Sequence, residues 1–226
     1  MSGRVGSITT EIITDGLVLN LDAANRASYP RTGTTALDTI GNISTTLQSS
    51  GMFENVNAGV FTFDGASNQI TISNANSGPI YDIGTGDFTS TIWTSAASGM
   101  SSYSTMFSNW NSNKGLLLWK ISSGKFQCYI GGTAITPNFI VPQDDTWHNY
   151  VVTRKGTSIS IYIDNGSPTT GTSSGNLEGN SSTRIANFNN YRWKGKIANT
   201  QFYNRALSSQ EVAQNYNALK GRFGLS

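Results

Sequence analysis

Side chains that could perform acid, base or nucleophilic chemistry are few in this chain and lie far apart. The only histidine, His148, follows Trp147 and has no serine or cysteine motif to partner it. The only cysteine, Cys128, alternates with Phe126 and Ile130, so we interpret it as a small buried hydrophobic residue rather than a reactive thiol. We therefore expect a structural His148, hydrogen-bonded at a sheet edge, and no nucleophilic catalysis.

The element that must position His148 is a predicted β-hairpin over residues 147–166. Two runs rich in valine, isoleucine and tyrosine are joined by the polar residues 155–158, and the second run alternates isoleucine with polar residues. That alternation is the period of a strand buried on one face. The Asp-Asn-Gly run at 164–166 supplies positive φ angles for the next turn, and residues 166–182 are predicted to form a long loop. Units of this kind indicate an antiparallel, all-β protein.

The amino-acid composition limits which kinds of partner the protein can bind and where it is made. Charged residues are 12% of the 226 residues, and neutral polar residues are abundant, which suits a β protein. The 15 basic and 13 acidic residues are scattered, without the basic stripe that nucleic-acid binding needs. No signal-peptide core and no run of roughly 18 apolar residues is present. We therefore predict a soluble protein made in a cytoplasm, with no nucleic-acid partner and no membrane partner.

One helix is predicted at the end of the chain. Ser208 and Glu211 match the S-x-x-E capping box, in which the two side chains satisfy each other's backbone N–H groups. Val212, Tyr216 and Leu219 follow at the i, i+4, i+7 spacing of one helical face. We expect this face to pack against the sheets and to hold the end of the chain in place.

Five segments occur in the order found in one known group of proteins. They are the opening strand at 16–25, the F-D-G run at 63–70, the G-D-F-T…W run at 86–93, the W-H-x-x-V-V-T-R run at 147–154 and the closing run at 195–208. Together they resemble laminin-G-like jelly rolls of the concanavalin A-like lectin/glucanase superfamily. The resemblance extends over nearly the whole chain.

This resemblance implies a fold and a division of the chain. We expect an all-β, antiparallel β-sandwich of the concanavalin A-like jelly-roll type over residues 16–226, with a short C-terminal α-helix. Residues 1–15 would form an N-terminal arm. Ile8, Ile12 and Ile13 in this arm are candidates for anchoring the protein to another protein. The alternative is that the arm packs on its own sheet.

The superfamily includes glycoside hydrolases, which place two carboxylates around the scissile bond. In these folds the pair implied by the resemblance is a Glu-x-Asp motif on one strand. The chain has four glutamates, and none is followed by a carboxylate two positions later. We therefore predict that this protein is not an enzyme.

Many relatives bind Ca²⁺ at the rim of the sandwich through carboxylates and backbone carbonyls. The corresponding candidates here are Asp64 with Asn68, together with Asp22. Relatives often carry an acidic residue where Asn68 stands, and the loss of that charge lowers the expected affinity. The alternative is that Asp64 caps the turn at Gly65. We expect no required cofactor, with Ca²⁺ as the only candidate.

Lectins of this superfamily stack an aromatic ring on the apolar face of a sugar and hydrogen-bond its hydroxyls with amides. Two segments have this composition: residues 108–113 contain Trp110 and Asn111, and residues 187–193 contain Tyr191 and Trp193. These four residues are our glycan-binding candidates. The alternative for each ring is that it packs beneath its own loop.

The closing run at 203–224 resembles the ends of jelly-roll domains in structural proteins of tailed bacteriophages, notably cyanophages. Our first hypothesis is a non-catalytic virion structural or decoration protein on a capsid or tail, present as a homo-oligomer or multi-copy assembly. It would contact other virion proteins and adhere to a cell-surface glycan, with residues 222–225 extending its anchoring surface. The second hypothesis is a free-standing carbohydrate-binding lectin module, and the third is a glycoside hydrolase.

Overall fold

The structure, a computed structural model, describes residues 11–40, 43–72, 83–178 and 183–226. In these residues two antiparallel β-sheets stack face to face, and one α-helix follows the last strand. This is the antiparallel β-sandwich that the sequence predicts, with its short C-terminal helix. The inward faces of the two sheets enclose the main hydrophobic core.

The first sheet has eight strands, which are β1 (Leu17–Asp22), β4 (Phe53–Glu54), β5 (Val60–Asp64), β7 (Phe88–Ala96), β12 (Trp147–Lys155), β13 (Ser158–Ile163), β14 (Thr169–Thr172) and β18 (Lys194–Tyr203). Their order is β14-β13-β12-β7-β18-β5-β4, and β1 also pairs with β18. The long strand β18 pairs with β5 through its first half and with β1 through its second half, beyond a β-bulge.

The second sheet also has eight strands, which are β2 (Thr35–Leu37), β3 (Ser44–Leu47), β6 (Ile70–Ile72), β8 (Ser104–Ser108), β9 (Leu116–Lys120), β10 (Phe126–Ile130), β11 (Thr133–Ile135) and β15 (Thr183–Ile185). Their order is β11-β10-β9-β8-β15-β6-β3-β2. A separate two-stranded hairpin, formed by β16 (Asn187–Phe188) and β17 (Tyr191–Arg192), lies next to β8.

The predicted hairpin is confirmed as β12 and β13. Lys155 pairs with Ser158, which leaves a two-residue turn with a φ of 58° at Gly156. The following turn has φ angles of 51° at Asp164 and 57° at Asn165, as the Asp-Asn-Gly run predicts. A hairpin of this kind needs only local information, because its turn residues and its strand period are contiguous in the sequence.

Part of the predicted long loop at 166–182 is instead strand β14, which pairs with β13. The loop prediction is wrong for these four residues. Their side chains are half-buried or exposed, because β14 is an edge strand and carries no row of buried apolar residues. An edge strand without hydrophobic alternation gives no periodic signal, whereas its threonines still favour extended backbone.

Cys128 lies on β10 between the inward-facing Phe126 and Ile130, and all three are completely buried in the core. Burial raises the pKa of the Cys128 thiol far above its ordinary value, because the charged thiolate loses its hydration there. The prediction of a buried hydrophobic cysteine is confirmed. We expect it to remain unmodified by a thiol reagent until the protein unfolds.

The single described α-helix, α1 (Ser209–Lys220), begins with the predicted capping box. The Ser208 hydroxyl accepts from the Glu211 N–H, and the Glu211 carboxylate accepts from the Ser208 N–H at 2.8 Å. Tyr216 stacks on Trp93 of β7 with ring centroids 5.4 Å apart, so the helix covers the outer face of the first sheet. No helix in the described ranges has the length and apolar character that crossing a membrane requires.

The cap of this helix makes a testable prediction on pH. A hydrogen bond from the Arg205 guanidinium lowers the pKa of Glu211 to about 2. Because this pKa is lower in the folded chain than in the unfolded chain, ionised Glu211 stabilises the fold above about pH 4.5, and the effect is lost as the pH falls towards 2. Urea unfolding of the wild type and of Glu211→Gln should therefore differ near neutral pH and converge in acid.

The matched control for this prediction is Glu11→Gln. The Glu11 side chain is exposed and forms no ion pair with the described residues. Its replacement removes one carboxylate without removing an ion pair within the described residues. A Glu211→Gln variant that behaves in the same way as this control would contradict the role assigned to the Arg205–Glu211 pair.

Candidate functional site

A groove of about 230 Å³ lies on the outer face of the second sheet. It forms where the loop after β8, strand β15 and the β16–β17 hairpin meet. The two segments predicted to bind sugar therefore lie side by side. We call this site the Trp110 groove, and its lining residues are Ser108, Trp110, Asn111, Ser112, Arg184, Asn187, Phe188 and Asn189.

A tight hairpin turn presents Trp110. The backbone groups of Asn111 and Lys114 exchange two hydrogen bonds, of 3.0 and 2.9 Å. Between them, Ser112 and Asn113 have φ angles of 49° and 65°. Positive φ at both central residues is the pattern of a type I′ turn, which asparagine tolerates better than most residues. The loop that carries Trp110 is thus defined by its own sequence.

Asn109 fixes the base of this turn. Its buried side chain accepts from the Leu116 N–H at 2.5 Å and donates to the Leu177 carbonyl at 3.3 Å. Gly115 lies so close that a Cβ there would be 2.6 Å from the Asn109 carbonyl oxygen. Sequence reasoning missed Asn109 as a positioning residue, because an asparagine at the end of a strand has no distinctive spacing.

The Trp110 ring is half-buried, and one part of it remains accessible in the groove. Tyr129 of β10 contacts it edge-on, with ring centroids 4.6 Å apart and an interplanar angle of 66°. This contact restricts the rotation of the indole, because T-shaped aromatic pairs have a favourable geometry. Trp110 and Asn111 are therefore both placed in the groove.

A second asparagine turn forms the opposite wall. Asn189 and Asn190, at the tip of the β16–β17 hairpin, have φ angles of 47° and 67°. The buried Asn187 side chain accepts from the Asn190 N–H at 3.1 Å and donates to Gln69 at 2.6 Å. Asn189 is exposed and Phe188 is half-buried, so this hairpin adds an exposed amide and a second ring to the groove.

Tyr191 lies outside the groove lining, in a second aromatic cluster. It is 40% exposed, and its ring centroid is 5.4 Å from that of Tyr103 and 6.1 Å from that of Trp119. The Trp119 indole donates to Gln127 at 3.0 Å. Sequence reasoning missed Tyr103 and Trp119. Trp119 could have been found, since it is out of phase with the inward-facing leucines of β9.

Trp193 is not a glycan platform, and that prediction is wrong. The side chain is completely buried in the main core, and its indole donates to the Ser95 carbonyl at 3.2 Å. Its backbone N–H donates to the Ala186 carbonyl at 3.1 Å. Trp193 therefore packs in the core immediately before β18 begins, and it is not part of the exposed asparagine turn that precedes it.

Asp64 caps the turn after β5. Its Oδ1 accepts from the N–H groups of Ala66, Ser67 and Asn68 at 2.8 to 2.9 Å, and its Oδ2 accepts from the Ser67 hydroxyl. Burial alone raises the pKa of this carboxyl, but these hydrogen bonds outweigh it and hold the pKa well below its usual range. This is the turn-capping alternative, in which Asp64 is engaged by four hydrogen-bond donors of its own turn.

The other calcium candidate, Asp22, forms an ion pair with Arg222 at 2.7 Å. The described residues include no group of three or more histidine, cysteine, aspartate or glutamate side chains that could hold a metal ion. Within the described ranges, Asp22, Asp64 and Asn68 thus lie in no such group.

The arm beyond residue 10 docks on its own domain. The Ile13 N–H donates to Asn215 at 2.7 Å, and the Ile13 carbonyl accepts from the Tyr203 hydroxyl at 3.0 Å. Ile12 and Ile13 are half-buried against the small apolar cluster beneath α1. This is the alternative to an anchoring role for these two residues. Ile8, the third anchoring candidate, lies outside the described residues.

The end of the chain packs in the same manner. Phe223 is buried, with ring centroids 4.5 Å from both Trp93 and Trp147. Arg222 pairs with Asp22 and donates to the Asn57 carbonyl. An anchoring surface at residues 222–225 is contradicted for Arg222 and Phe223, because the side chains of both are engaged with their own domain.

His148 is placed as predicted, at the beginning of β12. Its Nδ1 is 2.5 Å from the Asp164 carboxylate, and its Nε2 is 3.1 Å from the Thr146 hydroxyl. Asp164 also accepts from the Asn149 N–H at 2.8 Å. Both ring nitrogens are thus engaged, and the contact with Asp164 joins β12 to the turn after β13.

The sandwich and its aromatic, amide-lined groove define a lectin-like β protein. The family model described as the concanavalin A-like lectin/glucanases superfamily, of the laminin-G type, matches residues 64–213. The chain belongs to this superfamily. No curated protein sequence matches the chain.

Several solved structures share the fold. A sialidase of Trypanosoma rangeli in complex with sialic acid has a TM-score of 0.68 at 17% identity, over 93% of this chain and 34% of that chain. The receptor binding domain of botulinum neurotoxin type G has a TM-score of 0.66 at 14% identity, over 89% of this chain and 51% of that chain.

The binding domain of Paraclostridial Mosquitocidal Protein 1 has a TM-score of 0.68 at 14% identity, over 90% of this chain and 52% of that chain. The chain thus spans about a third to a half of the length of these structures. Identities this low establish a common fold and do not by themselves establish a common ligand.

Proposed function

We propose that this protein is a non-catalytic glycan-binding module and that it binds sugar in the Trp110 groove. One observation carries the proposal: two asparagine turns, from distant parts of the chain, place accessible aromatic rings and the amides of Asn111 and Asn189 around one concave site. The Trp110 ring would stack on the apolar face of a pyranose. Asn111 and Asn189 would hydrogen-bond to its hydroxyls, since an amide both donates and accepts.

The rigidity of the groove supports this role. Trp110 is restrained by Tyr129, and the turns on both walls are held by the buried side chains of Asn109 and Asn187. A weakly hydrated ring that is already oriented loses little conformational entropy when it binds, so more of the contact energy contributes to affinity.

The relatives with the same fold provide a second line of support. The sialidase structure contains sialic acid, and botulinum neurotoxin type C depends on interaction with two ganglioside molecules when it enters cells. Both ligands are glycans or carry them. The support is indirect, because this chain covers 34% of the sialidase and 51% of the neurotoxin domain.

We further propose that the groove is not a hydrolytic site. Glycoside hydrolysis uses two carboxylates on either side of the scissile bond. The groove lining contains hydroxyl, amide, aromatic and guanidinium groups, and no aspartate or glutamate among the residues described there. A sugar in this groove would be held without an acid or a base to cleave it.

The setting that we propose is the virion of a tailed bacteriophage, where the module is a structural or decoration protein present in many copies. The support is the resemblance of the closing run at 203–224 to the ends of phage jelly-roll domains. Release by lysis would bring a protein of this kind into contact with cell-surface glycans. Mass spectrometry of purified particles should find the protein at a stoichiometry above one copy, and its absence from particles would favour a free-standing lectin.

Replacement of Trp110 tests the glycan site. A glycan array should first identify a bound sugar, and calorimetry should then show about 30-fold weaker binding for Trp110→Ala, since truncating a central aromatic anchor costs about 2 kcal/mol. Trp110→Phe, which keeps a ring, should lose less. Thermal unfolding of each variant separates a binding defect from a folding defect.

Trp119→Ala is the matched control, because Trp119 is another half-buried tryptophan on the same sheet, in the neighbouring aromatic cluster. If Trp119→Ala abolishes binding and Trp110→Ala does not, the sugar site is the Tyr191 cluster and the assignment to the Trp110 groove is wrong. If the array and calorimetry find no bound glycan at all, the proposed function fails.

A further inference from the structure

The Trp110 groove contains a cation with no partner among the described residues. Arg184 projects from β15 on the side opposite to Ile185, which lies in the main core. No hydrogen bond or ion pair of its guanidinium is found with the described part of the chain, and its Nε is buried without a partner. An unpaired buried donor of this kind is costly, particularly on a charged group.

Among the described arginines, only Arg184 and the exposed Arg26 have a guanidinium that makes no hydrogen bond or ion pair within the described residues. Arginines at five other described positions donate to a backbone carbonyl or a carboxylate of the protein: Arg31, Arg154, Arg192, Arg205 and Arg222. Arg184 instead faces a groove whose described lining has no acidic side chain. Lys114, in the turn that follows Trp110, adds a second positive charge to the same hairpin.

We propose that the ligand of the Trp110 groove is an acidic glycan whose anionic group is bound by Arg184. The guanidinium presents a planar fork of donors that matches a carboxylate in a bidentate arrangement, and a sulfate ester offers the same charge. The Trp110 ring would hold the sugar and Arg184 would select its charge. This inference rests on the proposed glycan-binding function and adds the class of ligand to it.

The test is binding of the wild type, Arg184→Gln and Arg26→Gln to an array of carboxylated, sulfated and neutral glycans. Arg26→Gln is the matched control, because it removes one positive charge from an exposed arginine outside the groove lining. We expect Arg184→Gln to weaken binding to acidic glycans by about tenfold or more, as lost hydrogen bonds to charged groups do. Arg26→Gln should have little effect. Comparison of the carboxylated with the sulfated glycans on the array shows which anion is preferred.

Arg184→Lys is a second variant, which keeps the positive charge but loses the planar pair of guanidinium donors. It should bind acidic glycans more weakly than the wild type and better than Arg184→Gln. The Arg184 Nε–H resonance, assigned by its loss in these variants, should shift when sodium glucuronate is added and should not shift with glucose. This measurement remains informative if a substitution lowers stability.

The outcomes separate the two proposals. One outcome is that neutral glycans bind as tightly as acidic ones, bind more weakly to Trp110→Ala and bind equally well to Arg184→Gln. That result would support the glycan site and contradict the proposal that its ligand is acidic. If no glycan binds to the wild type, both are wrong. Selective loss of acidic glycans in Arg184→Gln, with weak neutral binding retained, supports both.

Discussion

Replacing Arg154 by methionine is expected to lower the free energy of unfolding by about 3 to 4 kcal/mol. The side chain is completely buried. Its guanidinium donates to the carbonyls of Gly84 at 2.9 Å, Gly86 at 2.8 Å and Gly175 at 2.6 Å, and it lies over the Phe88 ring at 5.1 Å. Methionine would fill much of the volume but leave the Gly86 and Gly175 carbonyls without these donors. Urea unfolding followed by tryptophan fluorescence would measure the loss.

Two further variants make this prediction specific. Arg26→Met removes an exposed arginine and should change stability by no more than about 0.5 kcal/mol. Arg154→Lys keeps the charge, but a single ammonium cannot reproduce the fork of donors, so its loss should be intermediate. An Arg154→Met protein as stable as Arg26→Met would show that the Gly86 and Gly175 carbonyls do not depend on the guanidinium.

Replacing Gly175 by alanine is expected to destabilise the fold by about 3 kcal/mol. A Cβ at this position would lie 2.5 Å from the Gly131 Cα and 2.7 Å from the Ile130 carbonyl oxygen. Both obstacles are backbone atoms, so no side chain can move aside. The backbone carbonyl of the next residue, Asn176, accepts from the Gly115 N–H at 2.8 Å. Because Gly115 lies at the base of the turn that carries Trp110, a shift of this segment should also lower glycan affinity. Thermal unfolding and calorimetric glycan titration would measure the two effects.

Gly51→Ala is the control for this substitution. A Cβ at Gly51 meets no atom within 4 Å, and its φ angle is not positive. That variant should be neutral in stability and in glycan binding. A Gly175→Ala protein that unfolds at the same temperature as Gly51→Ala would contradict the close backbone approach between residues 131 and 175.

The parts of the fold that the sequence predicts correctly are those with local signals. The hairpin β12–β13 combines a strand period with contiguous turn residues, and the cap of α1 needs only Ser208 and Glu211. The burial of Cys128 follows from its phase with Phe126 and Ile130. In each case the residues that determine the local structure are within a few positions of one another in the sequence.

The site was predicted in part, for a corresponding reason. Composition alone identified both aromatic and amide segments, but the pairing of Arg184 with Ser108 across the second sheet brings them together. That contact joins residues far apart in the sequence. Composition also could not distinguish Trp110 from Trp193, because the direction in which each ring points depends on the local backbone and on the packing of the loop.

The sequence indicated that the terminal helix packs on the sheets, but it did not identify the partners of the residues at the two chain ends. Phe223 was a candidate for the anchoring surface, yet its ring packs against Trp93 and Trp147 of two different strands. Ile13 is held by Asn215 and Tyr203 from the other end of the chain. The alternation of residues along one strand does not show that its outward-facing side chains are covered by segments from the ends of the chain.

The most direct measurement of the central claim is a glycan titration followed through the indole N–H resonances of the five tryptophans. Individual Trp→Phe variants would assign them. With the sugar identified on the array, we expect the Trp110 resonance to shift in proportion to occupancy and the buried Trp93 and Trp193 to stay unchanged. Shifts confined to Trp119 or Trp147, or no shift at saturating sugar, would contradict glycan binding in the Trp110 groove.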